Sequence, residues 1–498
     1  MNIATSNAVA QDAGHFDVLF VGAGISGIGS AVHLQQGCPD KSFVILEANE
    51  SFGGTWLIHT YPGIRSDSDL YTFGYKFKPW TGAPIAEAQL ILDYMGEVIE
   101  ENELEDHIRY GHRVQRCSWS SKDQKWTVEV ARAEDGALLV FTCNFLWMCQ
   151  GYYRQDKGYT PEWPGMENYK GQIVHPQTWP EDLDYEGKKV LVIGSGATAA
   201  TLIPAMADKC EHITMLQRSP TFFFADANRN EMADTLRALD VPEEWVHEIT
   251  RRKILADQKE ITRLSFEAPE LLRDELIGGA RAILGEDFDV DKHFTPSYRP
   301  WQQRLAFIPD GDLFQGLRDG AATVITDTIE TFTEKGVKVS SGQEIEADII
   351  VTATGFDLQV MGGIPFDVDD EPVDFSQKVM WRGMMFNDVP NMLWIFGYLR
   401  TSWTMRVDMI GEFVTRLFQH MQKKGAHVVM PQLRPTEHNM PRKPFIEEEN
   451  FNSGYIKRSL HLMPKQGDRE PWLHKQDYYS EVEELPKVDF DNDALTFS

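Results

Sequence analysis

The stretch Phe16-Asp-Val-Leu-Phe-Val-Gly-Ala-Gly-Ile-Ser-Gly27 decides the fold. A short apolar run ends at Val21, a glycine turn follows, and a helical pattern continues through Leu34. A second apolar run, Phe43 to Leu46, closes on Glu47. This order is the signature of a strand–helix–strand unit that binds a dinucleotide. Gly22 permits the tight turn, Gly24 lets the main chain approach a pyrophosphate, and Gly27 lets helix and strand pack closely. The helix N-terminus offers its free N–H groups to the anion. Glu47, twenty residues after Gly27, stands at a strand end where its carboxylate accepts from both ribose hydroxyls. The first site therefore selects an adenosine with free hydroxyls.

The pattern returns further along. Lys189 to Ile193 is apolar, Gly194-Ser195-Gly196-Ala197-Thr198-Ala199 opens a second helical pattern, and Ile213 to Leu216 forms the second run. At the position of Glu47 this unit has Gln217-Arg218-Ser219. No carboxylate is present there to repel a 2′-phosphate, and Arg218 offers a charge-assisted fork, so this site prefers NADP(H) over NAD(H). A third run, Ala347 to Thr352, ends in Ala353-Thr354-Gly355-Phe356-Asp357. Trp119 to Val130 and Ala137 to Met148 read as hairpin strands closing the first unit. Ala225 to Asp291 is charged, Leu-rich and nearly free of Pro, which reads as a helical insertion. Thr404 to Met421 is one long helical pattern, and the last fifty residues read as a surface wrap. The expected fold is α/β: two interleaved Rossmann-like dinucleotide-binding domains with a helical insertion. Residues 1–150 and 356–498, including the C-terminal wrap, form the FAD part. Residues 151–221 and 303–355 form the NADP part, and residues 222–302 the insertion. Hinges near Gly151 to Pro164 and near Gly355 are expected to allow relative rotation.

Composition excludes several classes. The 498 residues carry 48 Lys plus Arg against 76 Asp plus Glu, a net charge of −28. That argues against sequence-independent binding of nucleic acid or an anionic membrane. Cys38, Cys117, Cys143, Cys149 and Cys210 are odd in number with no CxxC spacing, so neither a disulfide framework nor a metal site is expected. Met1 to Gly14 is polar and lacks the features of a secretory signal. The longest apolar stretch, Met392 to Leu399, is too short to span a bilayer, so no stable membrane insertion and a cytoplasmic location are expected.

Two dinucleotide sites on one chain imply hydride transfer between two cofactors, and FAD with NADPH is the natural pair. The flavin then needs an acceptor. Gly53-Gly54-Thr55-Trp56 holds no cysteine, which excludes the redox-active Cys pair of disulfide reductases and leaves O2. Two further stretches carry a resemblance. Gly53-Gly-Thr-Trp-Leu-Ile-His-Thr-Tyr-Pro-Gly63 followed by Asp67 fits GGxWxxxx(Y/F)PGxxxD. Lys170-Gly171-Gln172-Ile173-Val174-His175-Pro176-Gln177-Thr178-Trp179-Pro180 fits the fingerprint FxGxxxHxxxWP, with Tyr169 replacing its Phe. From Phe16 to about Trp472 the chain resembles the type I Baeyer–Villiger monooxygenases. It is most similar to their ethionamide-activating branch, through Tyr61 to Asp69, Trp179 to Asp184 and Pro309 to Phe314.

The resemblance implies the roles of individual residues. The active-site Arg matches Arg304 in the segment Tyr298 to Arg304, and the carboxylate that orients it matches Asp67. FAD is expected at Gly22, Gly24, Ser26, Gly27, Glu47, Gly54, Thr55, Trp56, Asp67, Phe73 and Val114. NADP is expected at Arg65, Ser66, Gly194, Ser195, Gly196, Ala197, Thr198, Ala199, Arg218 and Ser219. Many relatives carry Lys just before the active-site Arg, contacting the 2′-phosphate. Gln303 stands there, which leaves Arg218 as the main phosphate ligand. The family chemistry is NADPH reduction of FAD and addition of O2 at flavin C4a to give a peroxide. That anion attacks a ketone, giving an ester or lactone, and also oxidises thioethers. A permanently charged guanidinium suits that anion, because Arg does not lose its proton. His175 is expected to act structurally, in the linker between domains. Met384, Met385, Met392, Met405, Met409, Trp381, Trp394 and Trp403 are expected mostly in the core, with some lining a substrate pocket. Thr401 to Thr404 is expected to open a helix facing the flavin, the plainer reading being an ordinary Ser/Thr cap. A small hydrophobic ketone or thioether is the expected substrate. The alternatives are a nitrogen- or sulfur-oxygenating flavin monooxygenase, an uncoupled NADPH oxidase, and a flavin-binding scaffold. Oligomeric state leaves no trace in the sequence.

Overall fold

The computed structural model describes residues 10–491 and 494–498. The first nine residues of the polar N-terminal stretch, and two near the C-terminus, lie outside the described residues. β1 (Gln11–Val21), α1 (Ile25–Gly37) and β2 (Phe43–Leu46) form the first unit, with β1 and β2 parallel and Val18 opposite Phe43. β1 begins five residues earlier than its apolar run. Gln11 and Asp12 pair with Leu139 and Val140, and the register shifts between Asp12 and His15. Main-chain pairing at an exposed strand end needs no apolar side chains, so the polar composition hid this part of the strand.

β3 (His112–Ser120), β4 (Lys125–Arg132) and β5 (Leu138–Met148) form an antiparallel meander whose last strand lies parallel to β1. This corrects the expected strand over Trp119 to Val130. The polar tetrad Ser121-Lys122-Asp123-Gln124 turns the chain, with Gln124 at φ 52°, and brings Trp119 opposite Trp126, ring centroids 5.6 Å apart.

The second sheet is parallel throughout. It contains β6 (Gln172–Val174), β7 (Lys189–Ile193), β8 (His212–Gln217), β9 (Ala322–Thr326) and β10 (Ile349–Thr352) in the order β9-β8-β7-β10-β6. α2 (Ala197–Ala207) crosses from β7 to β8. The near-continuous apolar strands match a sheet covered on both faces. The insertion carries α3 (Glu243–Glu267) and α4 (Pro269–Leu284) with shorter helices at Glu231–Ala238 and Val290–His293. It does not begin as helix at Ala225. Phe223–Asp226 is a strand paired parallel with Ala306–Pro309, a pairing invisible in so short a run.

The chain then returns to the first sheet. β11 (Met392–Trp394) pairs with β5, and α5 (Thr404–Lys424) packs against α1, where His33 Nε2 and Asp408 Oδ1 lie 2.9 Å apart. The C-terminal wrap is not superficial. Phe451, Ile456, Met463 and Trp472 are fully or almost fully buried, and Leu495–Phe497 pairs with Val429–Pro431. Pro and charge punctuation masked apolar residues that enter the core singly rather than periodically. Among the described residues no helix is long and apolar enough to cross a membrane.

The two crossings between sheets run side by side. Tyr153 bridges Leu358, Arg154 N donates to Asp357 O at 2.8 Å, and Tyr159 N donates to Gly355 O at 3.1 Å.

Candidate active site

The strand ends of both sheets open onto one cleft of about 460 Å³. The first glycine turn forms its floor. Gly22 has φ +104°, and a Cβ on Gly27 would lie 1.9 Å from Gly22 O, so this strand and helix approach too closely for any side chain. Gly54, at φ +55°, lies directly against Gly24; a Cβ on Gly54 would lie 3.1 Å from Gly24 Cα. These two stretches of bare main chain form a cradle. Glu47 is buried at β2's end and accepts from Ala23 N at 2.7 Å and from Asn49 N and Nδ2 at 2.8 and 2.7 Å. Those three donors fix its carboxylate as an acceptor at the cleft edge. Thr55, Trp56 and Phe73 line the cleft, the last two rings edge to face at 5.7 Å. Val114 lies with Glu47 and Gly22 in an adjoining groove of about 360 Å³. Ser26 Oγ accepts from Trp403 Nε1 at 2.8 Å, tying α1 to the start of α5.

Gln150, two residues beyond β5, was not singled out in the sequence. Its amide N and O are both buried without a protein partner, and it lines both cleft and groove. A buried unpaired amide is costly, and a bound group carrying donors and acceptors relieves it. The cradle, the fixed Glu47 and the unpaired Gln150 together fit a flavin dinucleotide.

The second glycine turn stands across the cleft. Gly194 has φ +134°, with Ala353 O 2.2 Å from where a Cβ would sit, whereas Gly196 has open space and lines the cleft with Ala197 and Thr198. Ser195 Oγ lies 2.9 Å from Thr221 Oγ1. Ala199 is fully buried inside α2 and packs the core. Arg218 and Ser219 are exposed at the end of β8, and Arg218 has no ion pair among the described residues. Arg458, from the C-terminal wrap, lies close enough for its charge to interact with that of Arg218, and its guanidinium stacks 3.5 Å from the Tyr159 ring centre. Arg65 and Ser66 do not reach the cleft. Arg65 Nη1 donates to Asp312 Oδ2 at 2.6 Å, and Ser66 exchanges bonds with the main chain of Ala86.

Arg304 and Asp67 meet as a bidentate pair. Nε donates to Oδ2 and Nη2 to Oδ1, both at 2.8 Å. Nη2 also donates to Ser68 Oγ at 3.0 Å, and Nη1 to Leu399 O at 2.8 Å. Four of the five guanidinium N–H groups are thus engaged, leaving one on Nη1. Asp67, Ser68, Arg304 and Thr401 line both the cleft and a second cavity of about 500 Å³. This chamber lies between the insertion and the first-sheet domain and presents Ile254, Ile261, Leu272, Leu276 and Phe307. Asp69 also lines it, its carboxyl pushed up to about 7 by burial despite the Tyr71 N–H it accepts.

Three tyrosines complete the cleft wall. Tyr152, Tyr153 and Tyr455 share hydrogen bonds through their hydroxyls, and Tyr152 stacks on Trp403 at 5.2 Å. Burial pushes all three up, Tyr455 to about 12, so they stand as neutral hydroxyls. The expected Ser/Thr cap on α5 is absent: Trp403 occupies the cap position, Ser402 Oγ lies 2.7 Å from Thr72 Oγ1, and Thr404 Oγ1 donates to Phe73 O. Of the Met- and Trp-rich set only Trp403 lines either cavity; the others lie in the core around them. His175 Nε2 lies 3.2 Å from Gly355 O, Nδ1 accepts from Gln177 N at 3.1 Å, and Gln177 Nε2 donates to Arg154 O, so the segment after β6 touches both crossings.

This geometry can be set against known proteins. A family model described as flavin-binding monooxygenase-like matches residues 84–232. The FAD-containing monooxygenase EthA of Mycobacterium tuberculosis (strain ATCC 25618 / H37Rv) is 44% identical over 486 residues, covering 97% of this chain and 98% of that protein. The chain belongs to the flavin-binding monooxygenase family. This monooxygenase is equally similar to the probable FAD-binding monooxygenase AlmA of Acinetobacter baylyi (strain ATCC 33305 / BD413 / ADP1), 44% identical over 490 residues, with 97% and 96% covered. Among solved structures, oxidised steroid monooxygenase bound to NADP superposes with a TM-score of 0.74 at 19% identity, covering 97% of this chain and 99% of that one. An open cyclohexanone monooxygenase gives 0.72 at 18% identity, with the same coverage. These confirm the two-domain α/β fold.

Proposed function

We propose that this flavin monooxygenase catalyses NADPH- and O2-dependent Baeyer–Villiger oxidation of small hydrophobic ketones to esters or lactones, and also oxidises thioethers. In this reading residues 1–150 and 356–498 hold FAD, residues 151–221 and 303–355 hold NADP, and residues 222–302 cover the substrate. The observation that carries the proposal is the position of Arg304. Its guanidinium forms part of the wall between the dinucleotide cleft and an apolar chamber, gripped by Asp67 yet with one N–H unpaired.

Bound FAD, with electrons from NADPH, supplies the activation of O2. The chain's own residues do the rest. The Gly24 and Gly54 cradle takes the pyrophosphate, and Glu47 takes the ribose hydroxyls. Gly196 and Thr198 admit the second pyrophosphate, with Arg218 free for the 2′-phosphate. Arg304 keeps a fixed positive charge at the shared wall, stabilises negative charge developing on oxygen, and orients a carbonyl through its spare N–H. Asp67 holds that guanidinium in place. The Tyr152, Tyr153 and Tyr455 cluster, with Trp403, closes the wall with rings and neutral hydroxyls and keeps bulk water from the reacting centre.

The test uses FAD-loaded protein with NADPH, O2 and a medium-chain methyl ketone, with the organic products identified by mass. An ester heavier than the ketone by one oxygen is expected. NADPH consumption matched by hydrogen peroxide, with no ester, overturns the reading. A thioether run in parallel separates ketone oxidation from heteroatom oxidation.

A further inference from the structure

The chamber wall holds a feature that ketone oxidation does not require. Arg400 lines the chamber beside Thr401 and is 9% exposed. Its Nη1 and Nη2 donate to Asn450 O and Oδ1 at 2.9 and 2.6 Å, which leaves three N–H groups. No carboxylate lies within ion-pair distance among the described residues. Its charged neighbours are Asp477, beyond ion-pair distance, and a second cation: Arg299 and Arg400 both stack on Phe266, 4.1 and 5.1 Å from its ring centre. Arg299 is likewise without an acid partner, held by the main-chain oxygens of Ser265, Pro300 and Glu449. Burial and the repulsion of Arg299 push Arg400 down to about 10. Five carboxylates line the same chamber: Asp226, Asp257 and Glu275 from the insertion side, with Asp257 paired to Lys253, and Asp67 and Asp69 from the first-sheet domain, with Asp67 paired to Arg304.

A buried charge is costly without a counter-ion, and two like charges across one ring cost more. This chain has 76 acidic residues, yet none forms an ion pair with either arginine among the described residues; Asp477, the acid whose charge reaches Arg400, lies beyond ion-pair distance. A purely structural role for Arg400 in holding Asn450 would be served as well by a neutral amide. We propose that Arg400, backed by Arg299, is a binding site for the carboxylate of the substrate, so that this monooxygenase prefers ketones or thioethers bearing a carboxylate at the end remote from the oxygenated group. The apolar chamber wall then takes the intervening methylenes. The inference rests on the chamber being the substrate site proposed above.

The experiment separates the two. Holoenzyme without NADPH is titrated calorimetrically with octanoate and with octanamide, its neutral isostere. Octanoate is expected to bind at least about tenfold more tightly, the scale of one charge-assisted bidentate contact. Arg400→Gln is expected to abolish that difference and Arg400→Lys to retain part of it. In turnover, the kcat/KM ratio of a keto acid over the neutral methyl ketone of equal chain length should be about ten or more in the wild type, and near one in Arg400→Gln. Equal binding of octanoate and octanamide, or a preference that survives Arg400→Gln, overturns the proposal. Octanoate selectivity without ketone oxidation preserves the anion site and removes the Baeyer–Villiger reading. Ketone oxidation without octanoate selectivity does the reverse. Flavin absorbance and thermal melting report whether Arg400→Gln folds. Should it not, the wild-type octanoate-to-octanamide ratio and its decline with added salt decide the matter.

Discussion

Replacing Asp67 by Ala tests whether that carboxylate works through Arg304 or on its own. The pair has two parallel bonds of 2.8 Å, with side chains 26% and 36% exposed. Charge centres about 4 Å apart attract by about 4 kcal/mol at an effective dielectric near 20. Water reaches both groups, so the net contribution lies between that of exposed pairs, under about 1 kcal/mol, and buried ones, about 3–5 kcal/mol. About 2 kcal/mol is the working value, equivalent to roughly thirtyfold in rate. Arg304 retains Leu399 O and Ser68 Oγ, so its guanidinium stays near the wall but is free to pivot. Product formation by Asp67→Ala should therefore fall about thirtyfold. Flavin reduction by NADPH, followed separately by loss of flavin absorbance, should carry little of that loss, and hydrogen peroxide should account for the missing product. The decisive comparison is a double-mutant cycle. Once Arg304 is Ala, removing Asp67 should cost less than about threefold. A second full thirtyfold loss in that background refutes the positioning role.

Arg304→Ala should continue to consume NADPH and release hydrogen peroxide while ester formation falls by about a hundredfold or more, the cost of losing one preorganised charge at the reacting oxygen; retained ester formation removes Arg304 from the chemistry. Arg218→Ala should raise KM for NADPH about tenfold and leave NADH unchanged, since only the 2′-phosphate is read there; equal shifts for both refute the assignment. Gly27→Ala drives a Cβ to 1.9 Å from Gly22 O and should yield protein without flavin, whereas Gly196→Ala meets nothing within 4 Å and should keep its flavin but bind NADPH more weakly, both measured by flavin absorbance and nucleotide titration. His474 is buried, with its ring nitrogens at Phe445 O and Gln476 Nε2, and burial, then Arg406, hold it down at about 3. The unfolded chain binds its proton near pH 6.5 and the folded chain does not, so stability is full above about 6.5 and declines by about 1.4 kcal/mol per pH unit between there and about 3; acid melting curves of His474→Phe should show a slope shallower by that amount.

The glycine turns were legible because their cause is local: Gly22, Gly27 and Gly194 are needed by turns and contacts spanning a few residues, and the alternating runs around them fix strand and helix. Arg304 and Asp67 lie 237 residues apart, so only family resemblance joined them; nothing in their spacing does. Gln150 was missed because an unpaired amide shows itself only when its surroundings are known. Tyr455, Arg458 and Arg400 were missed because the tail reads as irregular and because a counter-ion's absence cannot be seen in one dimension. Arg65 shows the converse. Its motif position suggested a cofactor ligand, but Asp312, distant in sequence, takes its guanidinium at 2.6 Å. The hidden half of β1 was lost for a different reason, since Gln11 and Asp12 pair by main chain alone and leave no hydrophobic trace.

The placement of Arg304 explains why one chain carries both a dinucleotide cleft and a separate helical insertion. Asp67 and Ser68 come from the first-sheet domain, Arg304 from the segment just after the insertion, and Thr401 from the approach to α5. These four residues form the only wall common to the cleft and the chamber among the cavities described. In the proposed reading, substrates enter between α3, α4 and the first-sheet domain and reach the guanidinium without displacing anything held at either glycine turn. On the same reading, the dinucleotides are exchanged without opening the chamber. A single cavity would force those exchanges to compete. In that arrangement, two cavities divided by a charged, pinned residue would let an apolar molecule and a charged cofactor meet at one point through separate routes, and the paired crossings at Tyr153 and Leu358 are where any relative movement of the sheets would adjust that point.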